Sequence, residues 1–198
     1  PPQDRAYRGE PTGVVIGDRN IIREYATIHR ASGEGNRTIV GSDNFFMAVA
    51  HVAHNCRIGN HVTLVNFTGL AGHVQIDDHA FLGGGCIVHQ FTRIGRLAIC
   101  GAHCKVVQDI PPFALVDGVP ARVHGINRIG LQRVGVGPES RRAIKEAYRF
   151  LYLSGLNTTQ AVARIEEELG GDPEVRHLLA FLTEEQVRQR GLTQWERT

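Results

Sequence analysis

The sequence predicts a mainly β protein, a solenoid of stacked short strands followed by a small α-helical domain. Three observations predict it. From Val40 to Val106 every sixth residue is apolar: Val40, Phe46, Val52, Ile58, Leu64, Leu70, Ile76, Leu82, Val88, Ile94, Cys100 and Val106. In a chain that is 42% apolar, chance would fill about five of these twelve positions. Four residues after each stands a mostly small or β-branched residue, from Asn44, Ala50 and Cys56 through to Cys104 and Ile110. Aromatics make up only 7% of the chain and glycines number 23, which suits a narrow interior of small aliphatic side chains. Apolar-led strands this short cannot bury a face alone, and stacking of neighbouring repeats is the remedy.

Residues 1–15 have no clear period and carry Pro1, Pro2, Gly9, Pro11 and Gly13, so they read as a partial coil and a loop. Ile16, Ile22 and Ile28 restore the spacing before HRASGEGNRTI, residues 29–39, leaves the stack as a loop. Regular repetition then holds to residue 111. The chain opens on Pro1-Pro2 without a Met, and coils preceding it are expected to be missing. Residues 112–137, with Pro112 and Pro120, read as an extended linker. Residues 138–198 read as the helical domain. A first helix from Pro138 presents Ile144, Ala147, Tyr148, Leu151 and Tyr152 on one face; a second, capped by Thr158 or Thr159, presents Val162, Ile165 and Leu169; a third starts near Pro173.

With 22 basic and 20 acidic residues the net charge is +2, which excludes a wholesale nucleic-acid binder. Cys56, Cys86, Cys100 and Cys104 all fall in the inward phases of the repeat and read as buried hydrophobes rather than disulfide partners or metal ligands. No apolar run is long enough for a membrane span, and a reducing cytoplasm is the expected location.

Seven of the ten histidines lie between residues 51 and 103. Three six-residue repeats make an eighteen-residue coil, and that ruler places His54, Gly72 and Gln90 in one column, with His73 and His89 one residue from it. Adjacent coils stack roughly 5 Å apart. The cluster admits a solvated face, a metal site or general-base catalysis. Against a metal, no histidine follows His89 before residue 103 to complete a converging set. For catalysis, a neutral imidazole can take a proton from an alcohol or amine attacking a carbonyl, and a glycine amide beside it can meet the oxyanion.

The hexad pattern resembles the hexapeptide-repeat, left-handed parallel β-helix family, typically trimeric with sites between neighbouring prisms. The resemblance is closer still in GEPTGVVIGDRNIIREYATIHR, GSDNFFMAVAHVAHNCRIGN, LAGHVQIDD, GGGCIVHQFTRIG and VQDIPPFALVDGVPA. These are similar to the UDP-N-acetylglucosamine O-acyltransferases that open lipid A synthesis. The resemblance implies a 3-hydroxyacyl transfer from the phosphopantetheine thioester of acyl carrier protein to the sugar 3-hydroxyl, without metal or other cofactor, by a cytoplasmic homotrimer. It makes His54 the general base and Gly72 the oxyanion donor. It places His73, His89 and Gln90 along the sugar and acyl pocket, Gln3 and Asp4 on the glucosamine, and Asn127 and Arg133 near the nucleotide. His51 reads as a pocket or packing residue.

The chain departs from that family at three places. Asn55 stands where the best-known members have an Asp beside the catalytic histidine; an Asn accepts from the ring N–H but supplies no charge to an imidazolium. Ile129 and Val134 replace an acid and a second Arg, which points to a differently built grip on the nucleotide. An N-acyltransferase acting on an amino-sugar nucleotide, or a binding homologue with reduced activity, are the alternatives. The basic residues of 122–149 read either as a solvated helix face or as a docking patch for acyl carrier protein. Ile99 and Ala102 match the positions that set acyl length; with a small residue at 102, a medium-to-long hydroxyacyl group is expected. A competition among donors of graded length checks this, and use of only the shortest would contradict it.

Overall fold

The structure is a computed structural model that describes residues 1–184 and 190–196. Both inward phases of the repeat are buried: the twelve positions from Val40 to Val106 are at most 3% exposed, and the small residues from Asn44 to Ile110 at most 1%. Each repeat contributes a two-residue strand, such as Thr63–Leu64, whose first side chain faces out and second faces in. Strands one coil apart pair in parallel, Thr63 with Phe81 and Phe81 with Ile99, so the interior is filled by columns of like residues. Three sheets form the faces of a prism, the first of five strands through Arg57–Ile58 and Arg93–Ile94, the second of seven through Thr63–Leu64 and Ile99–Cys100, and the third of five through His51–Val52 and Gly69–Leu70. Every pairing is parallel except that of the last strand of the second.

The turns between faces explain why the register holds. Their second residue is left-handed although it carries a side chain: Val49, Asn55, His61, Phe67, His73, His79, Phe91, Leu97 and His103 have φ between 56° and 63°. Each such residue costs on the order of 1 kcal/mol. The conformation aims its N–H at the coil below: His61 donates to Ser42 O (3.0 Å), His73 to His54 O (3.0 Å), Phe91 to Gly72 O (3.1 Å) and Leu97 to Asp78 O (3.0 Å). The strain is offset turn by turn by a hydrogen bond between coils.

The loop expected at 29–39 is shorter. Residues 37–39 belong to the strand Arg37–Val40, which pairs with Gly13–Ile16, leaving 29–36 outside the stack. Residues 112–137 are not an extended linker. Ala114–Asp117 continues the seven-stranded sheet in parallel with Ile99–Cys100, and Arg122–Ile126 folds back on it antiparallel. A short helix, α1 (Arg128–Arg133), follows. It is capped by Asn127, whose Oδ1 accepts from Gly130 N (2.9 Å) while its amide donates to Leu97 O (2.8 Å).

The helical region comprises α2 (Pro138–Leu153), α3 (Thr158–Leu169) and α4 (Pro173–Thr183). The cap of α3 is Asn157, in a capping box with Gln160, rather than either threonine. Tyr148 of α2 is buried and donates to Pro112 O (2.5 Å), which fastens the helices to the last coil. On the first face Arg93 lies over the Phe181 ring (4.3 Å) and Arg96 meets Glu174 (2.5 Å), so α4 is anchored to the prism wall. All four cysteines are buried and free, and burial pushes the Cys56 thiol up to about 12. No helix is long and apolar enough to cross a membrane among the described residues.

Asp109 closes the prism against the C-terminal segment. Its N–H donates to Gly191 O (2.8 Å), its carbonyl accepts from Thr193 N (2.8 Å), and Oδ1 accepts from Arg93 N (2.8 Å). Burial raises its carboxyl to about 6 despite the Arg93 contacts. The folded chain therefore holds a proton that the unfolded chain releases near pH 4, and stability present below that pH is lost as pH rises to about 6. Asp109→Asn keeps the acceptor and removes this proton. Denaturant titrations at pH 4 and pH 7 should show the variant gaining on the wild type by on the order of 2 kcal/mol; a difference constant with pH would contradict the assignment.

Candidate active site

The corner between the third and first faces gathers the predicted histidines. His54 sits at the first position of its turn with Asn55 after it, and one coil on, Gly72 and His73 occupy the same places. The two coils touch as the ruler requires: a Cβ on Gly72 would lie 2.5 Å from both Cε1 and Nε2 of His54. Only glycine admits the ring in this position.

The orientation of His54 follows from its partner. Asn55 Oδ1 accepts from Ser32 N (3.0 Å), and Asn55 Nδ2 donates to Ser32 O (3.0 Å), which fixes which amide atom is which. Oδ1 also faces His54 Nδ1 at 2.9 Å. A carbonyl oxygen can only accept, so Nδ1 carries the hydrogen and Nε2 presents a lone pair against Gly72. The Gly72 amide itself donates to no acceptor among the described residues, while its neighbours Ala71 and His73 donate to Val88 O and His54 O. A base nitrogen and an unused N–H thus lie side by side on one edge.

Other groups complete the corner. The His73 ring meets His54 edge-on (centroids 5.3 Å, 90°) and stacks on Phe91 (4.6 Å). Burial, then the proximity of His54, lowers the pKa of His73 and favours its neutral form. His51 pairs with Thr27 Oγ1 (2.7 Å) and packs edge-on against His29 (4.9 Å), a packing role. Asp4 Oδ2 lies 3.8 Å from His54 Nδ1 and accepts from the Ser32 hydroxyl in a very short hydrogen bond. That bond, followed by one from Ala6 N, holds the Asp4 carboxyl below its usual range.

The remaining sequence candidates are not all at this corner. His89 and Gln90 are exposed beside it, with His89 Nδ1 3.2 Å from Gln90 O, which also accepts from Arg190 Nε (2.9 Å). Gln3 is exposed. Ile99, Asn127 and Arg133 line a separate groove of about 770 Å³ with Phe81, Ile129, Val134 and the stacked rings of His61 and His79 (4.6 Å). That groove opens at the corner between the first and second faces, across the first face from His54. Ala102 is exposed at the third corner. Asn127 serves chiefly as a helix cap here.

Two residues of the corner escaped the sequence reading. His29 lies opposite His51 because Thr27 pairs with His51, an offset of 24 rather than eighteen residues. Adding the loop's six extra residues to the ruler finds it. Ser32 left no signal, since nothing in the spacing marks a loop serine whose backbone meets Asn55 and whose hydroxyl meets Asp4. Among the described residues no three His, Cys, Asp or Glu side chains are grouped to hold a metal ion.

A parallel β-helix with a histidine against a glycine at its corner defines an acyltransferase of the hexapeptide-repeat class. The family model described as UDP-N-acetylglucosamine O-acyltransferase, domain 2, matches residues 109–193. The acyl-(acyl-carrier-protein)–UDP-N-acetylglucosamine O-acyltransferase of Alkalilimnicola ehrlichii is 47% identical over 182 residues, 91% of this chain and 70% of that protein. The enzyme of the same name from Thermodesulfovibrio yellowstonii is 47% identical over 97% of this chain and 74% of its own length. Solved structures of UDP-N-acetylglucosamine acyltransferases superpose with TM-scores of 0.91 (Francisella novicida, 40% identity, 98% of this chain and 70% of that one) and 0.92 (Bacteroides fragilis, 39%, 98% and 74%). The chain belongs to the acyl-(acyl-carrier-protein)–UDP-N-acetylglucosamine O-acyltransferase family.

Gly72→Ala tests the packing of the site. The Gly72 backbone is not left-handed, so alanine should fold with little change in Tm, yet its Cβ must drive the His54 ring away from the position in which it meets Asn55. A crystal structure of the variant is expected to show the ring displaced; an unmoved His54 would contradict the packing described.

Proposed function

We propose that this chain transfers a 3-hydroxyacyl group from acyl carrier protein to the 3-hydroxyl of UDP-N-acetylglucosamine, the first step of lipid A synthesis. The observation that carries the mechanism is His54, with Nδ1–H committed to Asn55 and Nε2 open against Gly72. Nε2 takes the proton of the sugar hydroxyl as its oxygen attacks the thioester carbonyl. The Gly72 N–H receives the charge that develops on the carbonyl oxygen. The intermediate then expels the phosphopantetheine thiolate, which takes the proton from His54, leaving an ester and a free thiol. His73, kept neutral beside His54, leaves the base unopposed by a second cation. No metal or further cofactor enters these steps. The relatives reported above carry the O-acyltransferase name, which favours the hydroxyl over an amino-sugar acceptor.

We read the site as one shared between copies of the chain. His54 and the groove holding Asn127, Arg133 and Ile99 lie at different corners of one prism, with the first face between them. A second copy seated on the prism would bring its groove to the first copy's His54 corner. The second face supports this reading, for it carries an outward column of Ile21, Phe45, Thr63, Phe81, Ile99 and Leu115, with Ile21 58% exposed. A homotrimer, acting in the cytoplasm where acyl carrier protein is found, fits one shared site per pair of neighbouring copies, and Ile99 in the groove gives the acyl chain its track, with Ala102 at the third corner as the other position expected to set its length. Arg128 and Arg133, exposed on α1, offer a basic approach for the carrier protein.

In a transfer assay read by the mass of the sugar nucleotide, His54→Ala is expected to lose about 10²–10⁴-fold in turnover. Near wild-type turnover would sink the mechanism. Mixing His54→Ala with Arg133→Ala subunits during refolding should restore part of the activity that each lacks alone, because some sites then combine an intact histidine with an intact arginine; mixtures no better than their components would contradict a shared site.

A further inference from the structure

We infer that Asp4 supplies the negative charge that balances the His54 imidazolium, a role beyond the sugar contact implied for it. This rests on the reading of His54 as the base. When Nε2 takes a proton the ring becomes a cation, and Asn55, its hydrogen-bond partner, is neutral. Among the described residues Asp4 is the one acidic side chain with an oxygen within 4 Å of a ring nitrogen, at 3.8 Å from Nδ1, and both side chains are largely shielded, His54 13% and Asp4 20% exposed. An interaction at this range and burial strengthens as water is excluded by substrate.

The carboxylate is held in place rather than passing by. The Ser32 hydroxyl has a single hydrogen, and it goes to Asp4 Oδ2; the same oxygen of Ser32 lies 3.2 Å from Asn55 Oδ1, which takes its hydrogens from Ser32 N–H and His54 instead. Ala6 N donates to the other carboxylate oxygen (2.9 Å). Ser32 is buried in the loop of 29–36 that leaves the coil stack, so that loop ties the N-terminal segment to the histidine corner. The amide at 55 belongs to the same arrangement. An aspartate there would set a carboxylate oxygen 3.0 Å from Ser32 O, where Asn55 Nδ2 now donates. The orienting and the charge-bearing roles are divided between two residues, Asn55 for the ring's direction and Asp4 for its charge. The other titratable groups facing His54 are His73 and His29, and burial favours the neutral form of each, so neither opposes Asp4.

Asp4→Asn tests this, since it removes the charge while its oxygen can still accept from Ala6 N and its amide nitrogen can donate to the Ser32 hydroxyl, where the second carboxylate oxygen now accepts. The first readout is the ring-proton NMR titration of His54 in the full chain without substrates, with Asp4→Asn, Asn55→Asp and the double variant compared with wild type. The expected result is a midpoint displaced to lower pH by Asp4→Asn and brought back toward wild type in the double variant, where the charge is restored from the other side. The second readout is the pH profile of kcat, whose acid limb should move to lower pH in Asp4→Asn, separately from any rise in KM through a lost sugar contact. A His54 titration unchanged by Asp4→Asn would overturn the inference whatever the activity. Full turnover in His54→Ala would instead overturn the mechanism and leave the titration result standing.

Discussion

The structure depends on the hydrogen bond that each left-handed turn residue donates to the coil beneath it. That bond sets the stacking register at eighteen residues and repeats at each corner, as His73 to His54 O and Phe91 to Gly72 O illustrate. Its consequence is geometric. A residue's place in the repeat fixes which face or corner it occupies, and one coil's step brings like positions into contact. The interior columns, the outward apolar column of the second face and the histidine–glycine pair are three results of the same register.

At the site this regularity is combined with one irregularity. The repeat supplies His54, Gly72 and an amide left free at the first turn position, all on the scaffold's own spacing. The loop of 29–36 supplies what the repeat cannot: a backbone that orients Asn55 and a hydroxyl that holds Asp4. Sites built this way use rigid coils for distances and an inserted segment for polarity.

Much of this was legible because the repeat is short and strict. The six-residue spacing marked Leu64, Leu82 and Ile94 as interior, and the eighteen-residue coil put His54 beside Gly72. The same ruler failed for His29, where six inserted residues shift the count, and it carried no information about Ser32. Bulky side chains at left-handed positions, Val49 and Phe67 among them, carry no local signal, because the coil beneath rather than the residue type imposes the conformation. The prolines at 111, 112 and 120 hid the strands Ala114–Asp117 and Arg122–Ile126, since they flank rather than interrupt them. The helix α1, six residues long with Gly130 inside it, is too short for periodicity to reveal. Asn127 and Arg133 are grouped with Ile99 and not with His54, a separation set by corners of the prism that residue spacing alone does not disclose.

The central claim is that His54 offers Nε2 as its base nitrogen because Asn55 holds Nδ1–H. Long-range nitrogen–proton spectra of the histidine rings, recorded with 15N-labelled protein above neutral pH, read the tautomer directly. The account predicts that His54 carries its hydrogen on Nδ1; a hydrogen on Nε2 would contradict it.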